Sequence, residues 1–163
     1  MSNLRKMVVV AATLLLCGCG TGGSAGKETV SMYDLNQEME AAESSLPEML
    51  YASNADGNAK EQFTHISDME YDKVDSYFVS YSKEGKADEI TVIAVKNPED
   101  VSEAKESLAR HRQSRIKLLQ QYEPKEVKRM EDGILFTKGQ YAVLLICEHP
   151  DAVRKAFEDF IEE

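Results

Sequence analysis

EITVIAVKNPEDVSEA, residues 89–104, and YAVLLICEHPDAVRKA, residues 141–156, align without a gap. Each is an apolar run and a short polar step, then proline, an acid, and valine and alanine at the same later spacing. Short apolar runs bounded by polar residues read as buried strands. Pro98 and Pro150 suit the first turn of a helix, and Glu99 and Asp151 beside them suit the positive end of its dipole. Each stretch is therefore a strand that turns into a helix. The pair echoes one strand–helix unit, although any strand before a proline-started helix shares the pattern, so the likeness alone does not establish a duplication.

Working outward, SYFVSYS (76–82) is aromatic and β-branched and predicts a strand. It joins EITVIAVK through the turn KEGKAD (83–88). EITVIAVK is apolar on both faces, which places it centrally in a sheet. ILFTK (134–138) precedes the second unit, joined by Gly139-Gln140 as a tight hairpin in which glycine supplies positive φ. The helix opened by Asn97-Pro98 runs to about Gln121, with the stripe Val101, Ala104, Leu108, His111, Arg115, Leu118, Leu119 and Tyr122. Pro124 ends it and begins a short helix, PKEVKRMED, capped by Gly133. The last helix turns Val153, Ala156, Phe157 and Phe160 to the core.

Nearer the start, Ser31 with Asp34 three residues on resembles a capping box, followed by the stripe Met32, Leu35, Met39, Ala42 and Leu46. Pro47 stops that helix. PEMLYA (47–52) reads as a short further turn, 53–60 as a loop, and 61–74 as either strand or helix. The expected fold is α+β: an antiparallel sheet of about four strands in the order β-β-α-β-β-α, helices mainly on one face, and a helix in front. Residues 31–163 make a single domain.

The first thirty residues predict an address. Arg5 and Lys6 precede the apolar run of residues 7–16, which is too short to span a bilayer and suits a signal peptide. Leu16-Cys17-Gly18-Cys19 resembles the lipobox of bacterial lipoproteins, with Cys17 a small departure from the usual residue there. That likeness implies cleavage after Gly18, a signal over residues 1–18 and a diacylglyceryl group on Cys19. The glycine-rich run after it makes residues 19–30 a tether. The expected place is the outer face of the cytoplasmic membrane, with the lipid on Cys19 as the membrane contact. With Cys19 lipidated, Cys147 stands alone in an apolar strand and reads as a small buried hydrophobe.

The chain has 19 basic and 29 acidic residues, a net charge of −10. That balance argues against nucleic acid as a partner, because phosphate neutralisation needs the opposite sign. The charge is uneven: residues 28–72 hold eleven acids and Lys60, whereas residues 105–129 hold eight bases and three acids. These read as solvated faces that attract each other within the fold, with a basic binding patch as the sharper alternative.

Catalytic patterns are weak. Ser80-Tyr81-Ser82-Lys83 and Ser102-Glu103-Ala104-Lys105 match S-x-x-K, but the first lies on a strand, where i and i+3 point to opposite faces. The second lacks the companion motifs and the chain length of that enzyme class. His65, His111 and His149 have no neighbours at metal-helix spacing, so no metal and no cofactor is expected. His111 and Arg115, one turn apart within an apolar stripe, are the candidates for a small ligand pocket, for which an anion suits the positive charge. Their plainer reading is a stripe edge where the arginine stem covers the core.

Lipobox, tether, Ala87-Asp88-Glu89-Ile90 opening a strand, Tyr122 and Pro124 closing a long helix, and Lys138-Gly139-Gln140-Tyr141 before an apolar strand occur in this order. Over roughly residues 30–160 the pattern resembles the Gram-positive bacterial lipoprotein family of the domain of unknown function 4358 (DUF4358) type. The resemblance implies an exported, lipid-anchored domain and brings no catalytic or binding residues. The expectation is a non-enzymatic domain that binds an envelope protein or small ligand. The alternatives are an enzyme acting on the cell wall and a small-anion binder around His111 and Arg115.

Overall fold

The computed structural model describes residues 30–162. The signal over 1–18, the lipidation site Cys19 and all of the tether but Val30 lie outside the described residues. In chain order the elements are α1 (Met32–Ala41), β1 (Met49–Ser53), α2 (Ala59–Phe63), β2 (Val74–Ser82), β3 (Glu89–Val95), α3 (Val101–Tyr122), α4 (Val127–Asp132), β4 (Ile134–Lys138), β5 (Tyr141–Ile146) and α5 (Pro150–Glu162). Short 3-10 turns at Tyr71–Lys73, Pro98–Asp100 and Pro124–Glu126 lead into β2, α3 and α4. The class is α+β, as the patterning predicts.

The strands form one antiparallel sheet in the order β1-β2-β3-β5-β4. Two details differ from expectation. The sheet has five strands rather than four, because Met49–Ser53 pairs with Phe78–Ser82 instead of continuing a helix. Pro47 ends the helical pattern, and the next five residues gain a ladder partner that sequence periodicity does not reveal. Helices also cover both faces rather than mainly one. The reason is in β3 and β5, where every residue from Glu89 to Val95 and from Ala142 to Ile146 is buried. A strand apolar on both sides needs a layer on each.

On one face, Tyr77, Val79, Ile93, Val95, Leu144 and Ile146 meet Phe63 of α2, Leu108 and Leu119 of α3 and Met130 of α4. On the other, Phe78, Ile90, Val92, Val143 and Leu145 meet Met32, Leu35 and Met39 of α1 and Val153 and Phe157 of α5. Ser31 caps α1 as its spacing predicts, its Oγ accepting from the Asp34 N–H at 3.3 Å. That helix stops at Ala41, short of Pro47. The buried Glu43 takes over there, accepting from the Ser45 N–H and from the His149 N–H at the head of α5. In α3 the stripe shifts: Ile116 is buried, whereas Leu118 and Tyr122 are exposed.

Gly139 has φ +56°, the left-handed conformation that a two-residue hairpin between Lys138 and Tyr141 needs. Gly133 is different. Its backbone is extended, not left-handed, and a Cβ there would stand 2.9 Å from the Leu145 carbonyl oxygen. Closeness to β5, rather than a cap conformation, requires glycine at that position. Among the described residues no helix is long and apolar enough to cross a membrane.

Candidate functional site: a cleft over a buried Glu-His-Arg cluster

β3 and α3 together build the site. Glu89 and Thr91 stand two residues apart on β3 and so share the face that α3 covers. α3 runs back along the strand. From Val95 to Glu89 the strand retreats by about 20 Å at ~3.3 Å per residue. From Val101 to His111 and Arg115 the helix advances by about 15–21 Å at ~1.5 Å per residue. The two lengths bring His111 and Arg115 over Glu89.

Glu89 is 2 % exposed, and all its acceptor positions are engaged. Thr91 Oγ1 donates to Oε1 at 2.6 Å. His111 Nε2 lies 3.0 Å from both Oε1 and Oε2. Arg115 Nη1 donates to Oε2 at 2.5 Å. Burial on its own would push the carboxyl up; the hydrogen bond and charge of His111, the charge of Arg115 and the Thr91 hydroxyl outweigh it and hold the group down at about 2. Glu89 is therefore a carboxylate at neutral pH and accepts only. It follows that His111 Nε2 carries a proton and donates. Arg115 also donates to the backbone carbonyls of Ala87 and Lys86, at 3.2 and 3.0 Å, tying the helix to the turn before β3.

Beside this cluster a cleft of about 280 Å³ opens between α2 and α3 over β1 and β2. Ala52 and Val79 belong to its floor, Gln62, His65 and Ile66 to the α2 side, Tyr81 to the sheet end, and Glu89, His111 and Arg115 to the α3 side. Its surface is mostly apolar. The wall on the α2 side is fixed by a second network. Ser67 Oγ and Ser107 Oγ are 2.7 Å apart, Ser107 Oγ donates to Asp68 Oδ1 at 2.7 Å, and Arg110 grips the same carboxylate through Nε and Nη2 at 2.8 and 2.7 Å. The guanidinium fork and the Ser107 hydroxyl hold Asp68 down at about 2. Phe63, Tyr71 and Tyr77 pack edge to face, with ring centroids 5.1–6.2 Å apart, and Tyr77 Oη donates to the Ala59 carbonyl at 2.6 Å.

The structure brings His111 and Arg115 together at one end of the cleft, with Glu89 between them. Sequence reading passed over Glu89 and Thr91. The signal was present: two polar residues at period two in a strand otherwise apolar on both faces. They have to meet polar partners, and a helix carrying His and Arg one turn apart supplies them. The other arginines of the basic stretch 105–129 are engaged inside the fold: Arg110 with Asp68, Arg112 with the Gly133 carbonyl and Arg129 with the buried Asp88. Cys147 is buried on the opposite face, and burial pushes its thiol up to about 12. Among the described residues no three of His, Cys, Asp and Glu converge as a metal site would require.

Fold and site define a small α+β domain, a five-stranded antiparallel sheet with a ligand-sized cleft against one face. The chain belongs to the family described as a domain of unknown function (DUF4358), whose model matches residues 48–147. That span runs from the start of β1 to the end of β5 and holds the whole cleft, while α1 and α5 lie outside it. No curated protein and no solved structure matches the chain.

Proposed function

We propose that the chain is a non-enzymatic binding domain, held outside the cytoplasmic membrane by a diacylglyceryl group on Cys19, and that it takes a small ligand in the cleft between α2 and α3. The observation that carries the binding half is the cleft itself: concave, mostly apolar, with polar groups converging at one end. The anchor rests on Leu16-Cys17-Gly18-Cys19 after an apolar run. Two features favour binding over catalysis. The cleft carboxylate is locked in a charge pair and holds no proton to give at neutral pH. The only thiol among the described residues is buried on the far side of the sheet. An anion is not favoured as the ligand, since Glu89 already occupies the positive groups that would attract it.

Purification from the host membrane fraction followed by native mass spectrometry tests both halves. The expected result is a diacylated Cys19 as first residue, and a small molecule that co-purifies with the wild-type chain but not with Ala52→Phe, which fills the cleft floor. An unprocessed soluble chain overturns the anchor. A chain with no co-purifying molecule that depends on Ala52 overturns the cleft.

A further inference from the structure

β1 stands at the edge of the sheet, and no strand pairs with its outer side among the described residues. The register fixes which backbone groups face out. The Lys83 N–H donates to the Glu48 carbonyl and the Asn54 N–H to the Tyr77 carbonyl, so the even-numbered residues along β1 exchange the ladder bonds with β2. The N–H and C=O groups of Met49, Tyr51 and Ser53 therefore point away from the sheet. Ser53 is closed off by its own turn, donating to Asp56 Oδ2 and accepting from the Asp56 N–H. Met49 and Tyr51 have no such backbone partner among the described residues.

The side chains beside these open groups are apolar on both faces. Leu50 and Tyr81 stand opposite each other across β1 and β2, and each is 40 % exposed. On the reverse face Tyr51 meets Tyr33 of α1 edge to face, with ring centroids 5.8 Å apart, and Tyr33 is 59 % exposed. Edge strands are commonly guarded by lysine, proline or a bulge. Met49–Ser53 contains none of these and keeps one continuous register with β2. β4, the other edge, ends on Lys138 and has the Arg154 guanidinium 4.6 Å above the Phe136 ring.

Charge selects the occupant. α1, β1 and α2 all lie within residues 28–72, where eleven acids face one base. Glu48 and Asp56 flank the strand itself. A second copy would bring the same acids to the same edge, and their repulsion opposes that pairing. Lysine or arginine in an incoming strand is attracted by them, and the exposed tyrosine rings add faces on which a cation can rest.

We propose that the outer edge of β1 docks an extended, basic segment of a partner protein, which adds a strand along Met49–Tyr51 and lays its alternate apolar side chains on Leu50 and Tyr81 and on Tyr33. In this mode the ladder bonds supply affinity and the side-chain contacts supply specificity. The docking edge goes beyond the cleft reading and does not depend on it.

Three end-blocked peptides test this: Lys-Val-Thr-Val-Thr-Val-Lys, the same peptide with Glu at both ends, and Lys-Val-Thr-Pro-Thr-Val-Lys, which keeps the charge but breaks the ladder. Each is titrated against the full chain in zwitterionic detergent micelles, read by the NMR shifts and hydrogen exchange of the Met49 and Tyr51 amides. The first peptide should bind on the order of tenfold more tightly than either of the others and slow exchange at both amides. Its margin over the Glu-ended peptide should narrow as salt rises. Met49→Pro removes one outward donor at a position where the sheet uses no N–H, and Leu50→Lys sets a like charge on an exposed position. Each should weaken the first peptide on the order of tenfold. Unchanged affinity in both variants, or equal binding of the proline peptide, overturns the strand addition. Equal or tighter binding of the Glu-ended peptide overturns the basic occupant. Met49 and Tyr51 amides already protected in a chain that sediments as a dimer assign the edge to a second copy and overturn the proposal, as does the absence of any shift at these amides. In every one of these cases the cleft keeps its own test, Ala52→Phe.

Discussion

The units β3–α3 and β5–α5 have the same pattern in sequence and opposite places in the fold. In each, the first aligned strand residue, Glu89 or Tyr141, faces the helix of its own unit. Val95 and Cys147, where the strands end, lie on the face that their helices then cover. Yet the strands are antiparallel neighbours and their helices lie on opposite sides of the sheet. What Glu89 and Tyr141 meet also differs. Tyr141 rests on Phe157, with ring centroids 5.8 Å apart, whereas Glu89 meets His111 and Arg115. Helix length accounts for it. α3 has 22 residues and α5 has 13, so α3 runs on past the position at which α5 ends. The extra turns of α3 are the ones that carry His111 and Arg115. One unit is scaffold, and the longer one carries the polar end of a cleft.

The largest test of the contrast is on the apolar unit. Phe157 is fully buried against Phe136 and Tyr141, so Phe157→Ala should destabilise the domain by about 4 kcal/mol in urea unfolding. The cleft resonances of the remaining folded molecules should stay where they are. Next is the matched pair of first strand residues. Glu89→Gln removes a charge from a buried pair and should cost about 3 kcal/mol, while Tyr141→Phe, which keeps the ring on Phe157, should stay within about 0.5 kcal/mol. Similar losses from both would mean that the two units do not divide the work. A further test is in acid. The folded Glu89 sits at about 2, below the ordinary value of 4.5, so the folded state binds fewer protons between those limits. Its contribution is complete above about pH 4.5 and is lost as pH falls toward 2. Wild type should therefore lose more stability over that window than Glu89→Gln does, as read from unfolding midpoints.

Much of this was legible in the residues. The two apolar runs, the Pro98 and Pro150 helix starts and the Gly139 hairpin are local signals, and each lies where its chemistry predicts. His111 and Arg115 stood out because they interrupt an apolar stripe. β1 was not legible: Met49–Ser53 is short and becomes a strand only through pairing with Phe78–Ser82. Leu118 and Tyr122 were placed in the α3 stripe by periodicity, but the C-terminal turns of that helix turn them outward, where Ile116 and Leu119 suffice for the core.

The sequence by itself determined the α+β class, the order of the strand–helix units and the candidate pair on α3. Spacing along the chain encodes those, because hydrogen bonding and side-chain direction within an element depend on near neighbours. The tertiary structure alone decided which face each helix covers, that Glu89 stands between His111 and Arg115, and that a cleft opens beside them. Those contacts join residues 22 and 26 apart in sequence, and β1 and α2 complete the cleft from elsewhere in the chain. Such meetings depend on how helix length compares with strand length and on which faces remain to be buried, and no local pattern carries that information.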